Sequence, residues 1–212
     1  MEVFKKAVPI SEALNKGEGR VTVRGWVYRK RVFKAKIFIV LRDSTGILQL
    51  VLPREKFKIA EDLNLESSLV VTGVLVKEPR APGGVELHVE NIDWAYVGEP
   101  YPINEDAAVA DSEYLLDVRH LWLRSRKMQT VLKIRHTVFG AIPEYFRKNG
   151  FYEVQAPMFI TAAVEGGATL FKVDYFGHTV YLTQSSQFYL EALIYSLENV
   201  YTVAPSFRAE HS

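Results

Sequence analysis

Phe207-Arg208-Ala209-Glu210 sets a guanidinium and a carboxylate two positions apart in a short, partly apolar stretch. The residues predict a strand over 205–212, and strand alternation puts Arg208 and Glu210 on one face. A cation so placed can hold a triphosphate, and the carboxylate beside it can accept from a nucleobase amine. In isolation, a surface ion pair at a strand end would look the same. Upstream, Glu165 adjoins Gly166-Gly167, a flexible pair able to swing a carboxylate over a site; an exposed loop glutamate is the plainer reading. Gln187 falls in the first turn of an expected helix, where its amide serves a ligand or the cap. Leu190, three residues on, packs that helix against its sheet.

A separate group lies in the first fifth of the chain. Arg29, Lys30 and Arg31 predict a basic turn, followed by Lys34 and Lys36 and interleaved with Tyr28, Phe33 and Phe38. Basic and aromatic residues alternating on a small barrel suit stacking on unpaired bases. Phe38 could instead be a core aromatic, but Ile37 and Ile39 would then point outward.

The elements that must carry these residues change character along the chain. Residues 20–29 alternate, with Val21, Val23, Gly25 and Val27 on one face and Thr22, Arg24, Trp26 and Tyr28 on the other. Residues 37–41 and 47–52 form two further strands around the hairpin signal Asp43-Ser44-Thr45-Gly46. Two more strands, 68–76 and 85–96, flank a Pro- and Gly-rich turn, and 55–63 has helical spacing. Five short strands with one helix between the third and fourth is the order of an OB-fold barrel, with a generic small barrel or SH3-like module as the alternative. Pro100 and Pro102 mark its exit. From Lys127 the period becomes helical up to Asn149-Gly150, with Pro143 expected to kink the helix. A short strand, a glycine loop, a strand pair about Gly177 and a helix over 185–197 follow. The second half therefore reads as α+β.

Composition narrows the classes. The 212 residues carry 26 Lys and Arg against 25 Asp and Glu, so no global field draws the chain to nucleic acid and any such contact must be local. Lack of cysteine removes disulfide frameworks and thiolate metal sites and suits a reducing interior. Residues 1–11 show no signal peptide, and no run nears the roughly 20 apolar residues needed to span a bilayer. A cytoplasmic location is expected.

The motifs of the second half resemble the class II aminoacyl-tRNA synthetases, in the subgroup for aspartate, asparagine and lysine. The long helix, Gly150, Phe151-Tyr152-Glu153-Val154 and Pro157 match the family's first motif, which implies a homodimer with Pro157 at the interface. Residues 164–171 match the loop that closes over the amino acid, Gln184 to Tyr189 the helix start lining its pocket, and 207–210 the first strand of the second motif. The resemblance implies three domains of function: an anticodon-binding OB-fold over 1–103, a hinge over 104–126, and the first part of an antiparallel α+β catalytic domain over 127–212. It implies that Glu165 and Gln187 meet the substrate ammonium, that Arg208 clamps the α-phosphate of ATP with the substrate carboxylate, and that Glu210 accepts from adenine. Phe38 is placed to stack on the central anticodon base, a uridine, with Arg31 and Gln49 holding its edge. Where aspartate-specific relatives carry a lysine, Leu190 stands here. A buried carboxylate without a cation is costly, whereas a carboxamide can be met by hydrogen bonds. Together with the wording around 169–176, that points to asparagine, ATP and tRNA as substrates. An aspartate-charging enzyme of relaxed specificity, a non-catalytic tRNA-binding relative and an asparagine-making paralogue remain alternatives. Magnesium is implied with ATP, but its ligands, like the γ-phosphate arginine of the third motif, have no match up to Ser212. The 212 residues alone are expected to be inactive.

Overall fold

The computed structural model describes residues 2–103, 112–161 and 170–210. Two compact units divide the chain, 1–117 and 118–212.

Unit one is a closed five-stranded barrel of order β1-β2-β3-β5-β4, built from β1 (Gly19–Val32), β2 (Lys36–Arg42), β3 (Ile47–Pro53), β4 (Ser68–Lys77) and β5 (Val85–Tyr96). All neighbours run antiparallel except β3 and β5, which is the OB-fold arrangement read from the strand order. Alternation decides the inside: Val21, Val23, Val27, Ile37, Ile39, Leu41, Leu50 and Leu87 are buried in one core. The β4–β5 seam is tight at Gly73, where an added Cβ would sit 2.2 Å from the His88 carbonyl oxygen. Two expectations are corrected. Arg29 to Arg31 form no turn, because β1 continues to Val32 paired with β2 and the reversal is closed by Phe33 N–H on the Lys36 carbonyl. The helix expected over 55–63 is only α3 (Ile59–Asp62), because Lys56 and Phe57 first bond back to the Pro53 carbonyl in a turn.

Two helices precede the barrel, α1 (Glu2–Lys6) and α2 (Ile10–Lys16). Ile10 and Ala13 of α2 are part of the barrel core. The start of α2 is anchored 33 residues away: Ile10 N–H donates to Asp43 Oδ2 at 2.8 Å. Asp43 Oδ1 meanwhile accepts from Thr45 and Gly46 across the hairpin. Burial pushes the Asp43 carboxyl up, but these bonds outweigh it and hold the group below its ordinary range.

The region 112–122 carries two short helices, α4 (Ser112–Asp117) and α5 (Arg119–Trp122). In unit two, α6 (Arg126–Lys148) begins where Ser125 Oγ accepts from Met128 N–H and runs on through Pro143. Gly150, at φ +80°, lets the chain leave the helix. There follow β6 (Tyr152–Glu153), β7 (Phe159–Ile160), β8 (Lys172–Tyr175), β9 (His178–Leu182), α7 (Gln187–Leu197) and β10 (Val200–Tyr201). β7-β9-β8 is antiparallel, whereas β6 and β10 pair in parallel. Tyr201 joins these pieces. Its ring stacks on Phe146 at 4.6 Å and its hydroxyl donates to Glu153. That bond, with the Arg147 guanidinium, holds the Glu153 carboxyl below its usual value. The strand expected over 205–212 does not form in the described residues: Phe207 N–H bonds the Thr183 carbonyl, but no ladder follows, and a strand needs one. No helix among the described residues is long and apolar enough to cross a membrane.

Candidate nucleic-acid interface and amino-acid cleft

On the outer face of the barrel the register lines up two rows across four strands. One runs Arg29, Val40, Gln49, Glu86; the next runs Arg31, Phe38, Val51, His88. Ile39, Leu50 and Leu87 between them, and Ile37 beside them, are buried, so strand alternation forces these rows outward. All of their residues except His88 line a cleft of about 560 Å³. Phe38 is half-buried on its floor, edge-on to the exposed Phe33 at 5.6 Å. The core reading of Phe38 is thereby excluded, and Arg31, Phe38 and Gln49 are brought together as expected. Gln49 Nε2 donates to Glu86 Oε2 at 2.9 Å, and Glu86 Oε1 lies 2.8 Å from His88 Nε2. At the rim Arg80 grips Glu78 through its side chain and backbone N–H, holding that carboxyl down at about 2. Lys30, between the rows, instead donates to the Glu61 carbonyl, and burial lowers its pKa against the raising influence of Asp62 and Glu61.

Glu86 and His88 were missed in the sequence. Their outward alternation against Val85, Leu87 and Val89 is legible there, but the parallel β3–β5 pairing that brings Glu86 to Gln49 is not.

In unit two a cleft of about 480 Å³ opens beside the start of α7. Gln187 and Leu190 both line it, with Ser185, Glu191, Thr202 and Ser206. Gln187 N–H donates to Ser185 Oγ, and its side-chain amide donates to Glu191 Oε1 at 2.7 Å. Ser186, the residue before α7, makes no side-chain cap bond, and the Gln187 side-chain carbonyl oxygen stays available as an acceptor. Among the described residues no lysine or arginine lines this cleft. Ser206 Oγ bonds the Gln184 carbonyl, tethering the segment that leads to Arg208 and Glu210. Those two meet at 3.5 Å as an exposed pair, which costs little to exchange for a ligand. Glu165 lies outside the described residues. Pro157 is exposed, and no residue of α6 is buried among the described residues. No cluster of three histidine or carboxylate side chains that could hold a metal occurs among the described residues.

This pairing of modules defines a class. Residues 111–212 match the tRNA synthetases of class II (D, K and N), and residues 21–94 match the OB-fold nucleic-acid-binding domain. The chain thus carries an OB-fold nucleic-acid-binding domain followed by the first part of a class II tRNA synthetase catalytic domain. More particularly, it is similar to asparagine–tRNA ligases. It is 48% identical over 198 residues to that of Thermoplasma acidophilum, covering 91% of this chain and 46% of the relative. For Thermococcus gammatolerans the figures are 47%, 91% and 45%. A crystal structure of asparaginyl-tRNA synthetase from Pyrococcus horikoshii complexed with asparaginyl-adenylate aligns at TM-score 0.91 and 43% identity, over 97% of this chain and 49% of that one. The chain spans about half the length of the relatives it matches.

Proposed function

We propose that this chain is part of a cytoplasmic asparagine–tRNA ligase that charges a tRNA whose central anticodon base is uridine. The reaction has two steps. The asparagine carboxylate attacks the α-phosphorus of ATP and expels pyrophosphate, giving asparaginyl-adenylate. A terminal ribose hydroxyl of the tRNA then attacks the activated carbonyl, and AMP leaves.

Within that reading Arg208 exchanges Glu210 for the α-phosphate and the substrate carboxylate. It thereby holds nucleophile and phosphorus in line and stabilises charge on the phosphoryl oxygens. Glu210 accepts from the adenine amine. Gln187, with Glu165, meets the substrate ammonium. Magnesium, expected beside ATP, has no ligand set among the described residues, and no part is assigned to it. In the barrel, Phe38 stacks on the uridine while Arg31 and Gln49 hold its edge. Pro157 and the exposed face of α6 form the two-fold contact of a homodimer, and residues 104–126, of which 104–111 lie outside the described residues, are the hinge between the domains.

The observation that carries the choice of amino acid is the cleft beside α7. It holds Leu190, and no cation among its described lining. A carboxylate taken into it would be desolvated without a partner, at a cost of several kcal/mol, while a carboxamide needs only hydrogen bonds. ATP–pyrophosphate exchange by the full-length protein tests this: asparagine should support exchange and aspartate should not. Exchange with aspartate preferred would overturn the asparagine assignment.

A further inference from the structure

Gln49 alone cannot tell uracil from cytosine. A carboxamide carries a donor and an acceptor of nearly equal size, and a half-turn about its last bond exchanges them. Uracil presents acceptor, donor, acceptor along its pairing edge, and cytosine presents acceptor, acceptor, donor. A freely turning amide suits either base.

Gln49 is not free to turn. Its Nε2 donates to Glu86 Oε2 at 2.9 Å, and a carboxylate only accepts. Turning the amide would bring Gln49 Oε1 against Glu86 Oε2, replacing a charge-assisted bond with two facing acceptors. Glu86 cannot easily move aside, because its other oxygen is held by His88 Nε2 at 2.8 Å and its side chain is only 12% exposed. The parallel β3–β5 register fixes the spacing, with Gln49 opposite Glu86 and Val51 opposite His88. Gln49 Oε1 and its second Nε2 hydrogen are what remain for a ligand in the cleft.

We infer that Glu86 is a positioning residue that makes the cleft select uracil: it fixes Gln49 with Oε1 toward the base, where uracil N3–H donates and cytosine N3 would repel. The inference rests on the barrel cleft being the site of the central anticodon base.

The test uses the 212-residue chain and two RNA stem-loops that differ only in uridine or cytidine at the middle anticodon position. Wild type should prefer the uridine RNA by about tenfold to a hundredfold, the range of one bidentate base contact. Glu86→Gln keeps the shape but accepts or donates equally, so it frees the amide. The preference should then fall to within about threefold, mainly by tighter binding of the cytidine RNA, with the thermal midpoint unchanged. Glu86→Ala should lose the preference as well. An undiminished preference in Glu86→Gln would overturn the inference while leaving the anticodon reading intact. So would equal weakening toward both RNAs, which would mean Glu86 contacts RNA without orienting Gln49. A wild-type protein indifferent to the middle base would instead sink the anticodon reading, and this inference with it.

Discussion

The two proposed choices, of amino acid and of anticodon base, each come down to single side chains. Replacing Leu190 by lysine places an ammonium in the cleft beside α7, where no cation now lines the described wall. In pyrophosphate exchange by the full-length protein, Leu190→Lys should depress asparagine activation at least tenfold, since one stranded charge exceeds 1.4 kcal/mol. Aspartate activation should rise relative to asparagine. Unchanged asparagine activity would show that Leu190 faces away from the substrate. In the barrel, Phe38→Ala removes a stacking surface worth about 1–3 kcal/mol per base, so tRNA binding should weaken by about ten- to a hundredfold. Because Phe38 is only half-buried and lies outside the core, the thermal midpoint should barely move. A collapsed midpoint with unchanged affinity would make it structural. The direction of Phe38 was legible because two isoleucines flank it and strands alternate. The partners of Gln49 were not, since a hydrogen bond to a residue on a non-consecutive strand depends on register, which local pattern leaves open.

At the scale of elements, the five barrel strands were readable because alternation and turn residues agree at every junction but the first, where the basic run reads as a turn and β1 continues through it to Val32. What escaped were α1 and α2, too short for a periodic signal and held by tertiary contacts, among them the Asp43 anchor. The anchor makes a pH prediction. Since the folded Asp43 carboxyl lies below its unfolded value of about 3.9, its stabilisation is present above that value and is lost as pH falls through the folded one. Asp43→Asn should therefore lower the melting midpoint of the barrel at pH 6, with the gap to wild type closing as the pH drops below about 4. A gap independent of pH would remove the carboxylate from the account. A second fastening is harder to remove. Arg42, 4% exposed, donates from Nη2 to both oxygens of Glu66 at 2.8 and 2.9 Å and lies over the Trp26 ring. Glu66 itself sits at φ +66°, a conformation non-glycine residues rarely adopt without a reason. Glu66→Ala leaves the buried guanidinium without its carboxylate, so the barrel should lose about 3 kcal/mol in denaturant titration. A loss below about 1 kcal/mol would show that the pair is not what holds that loop in its strained turn.

At the scale of the molecule, unit two exposes an apolar stripe that needs a partner. Along α6, Val131, Ile134, Val138, Ile142 and Tyr145 recur at spacings of three and four, which puts them in one stripe, and all are exposed, Ile134 by 59% and Tyr145 by 65%. A helix stripe this apolar is normally covered. A second copy of the chain is the occupant proposed above, because a two-fold contact covers the same stripe twice and is the commonest way soluble proteins do so. Stable contacts of that kind bury roughly 800 Å² on each partner, and a 23-residue helix with its following strand offers surface on that scale. Light scattering of the full-length protein at micromolar concentration should give twice the chain mass. Ile134→Glu, at the middle of the stripe, should shift it toward the monomer without lowering tRNA affinity at the barrel, since Ile134 belongs to the other compact unit. A monomeric wild type would refute the dimer. A dimer indifferent to Ile134→Glu would move its interface off this stripe and leave α6 to be covered by another part of the same protein.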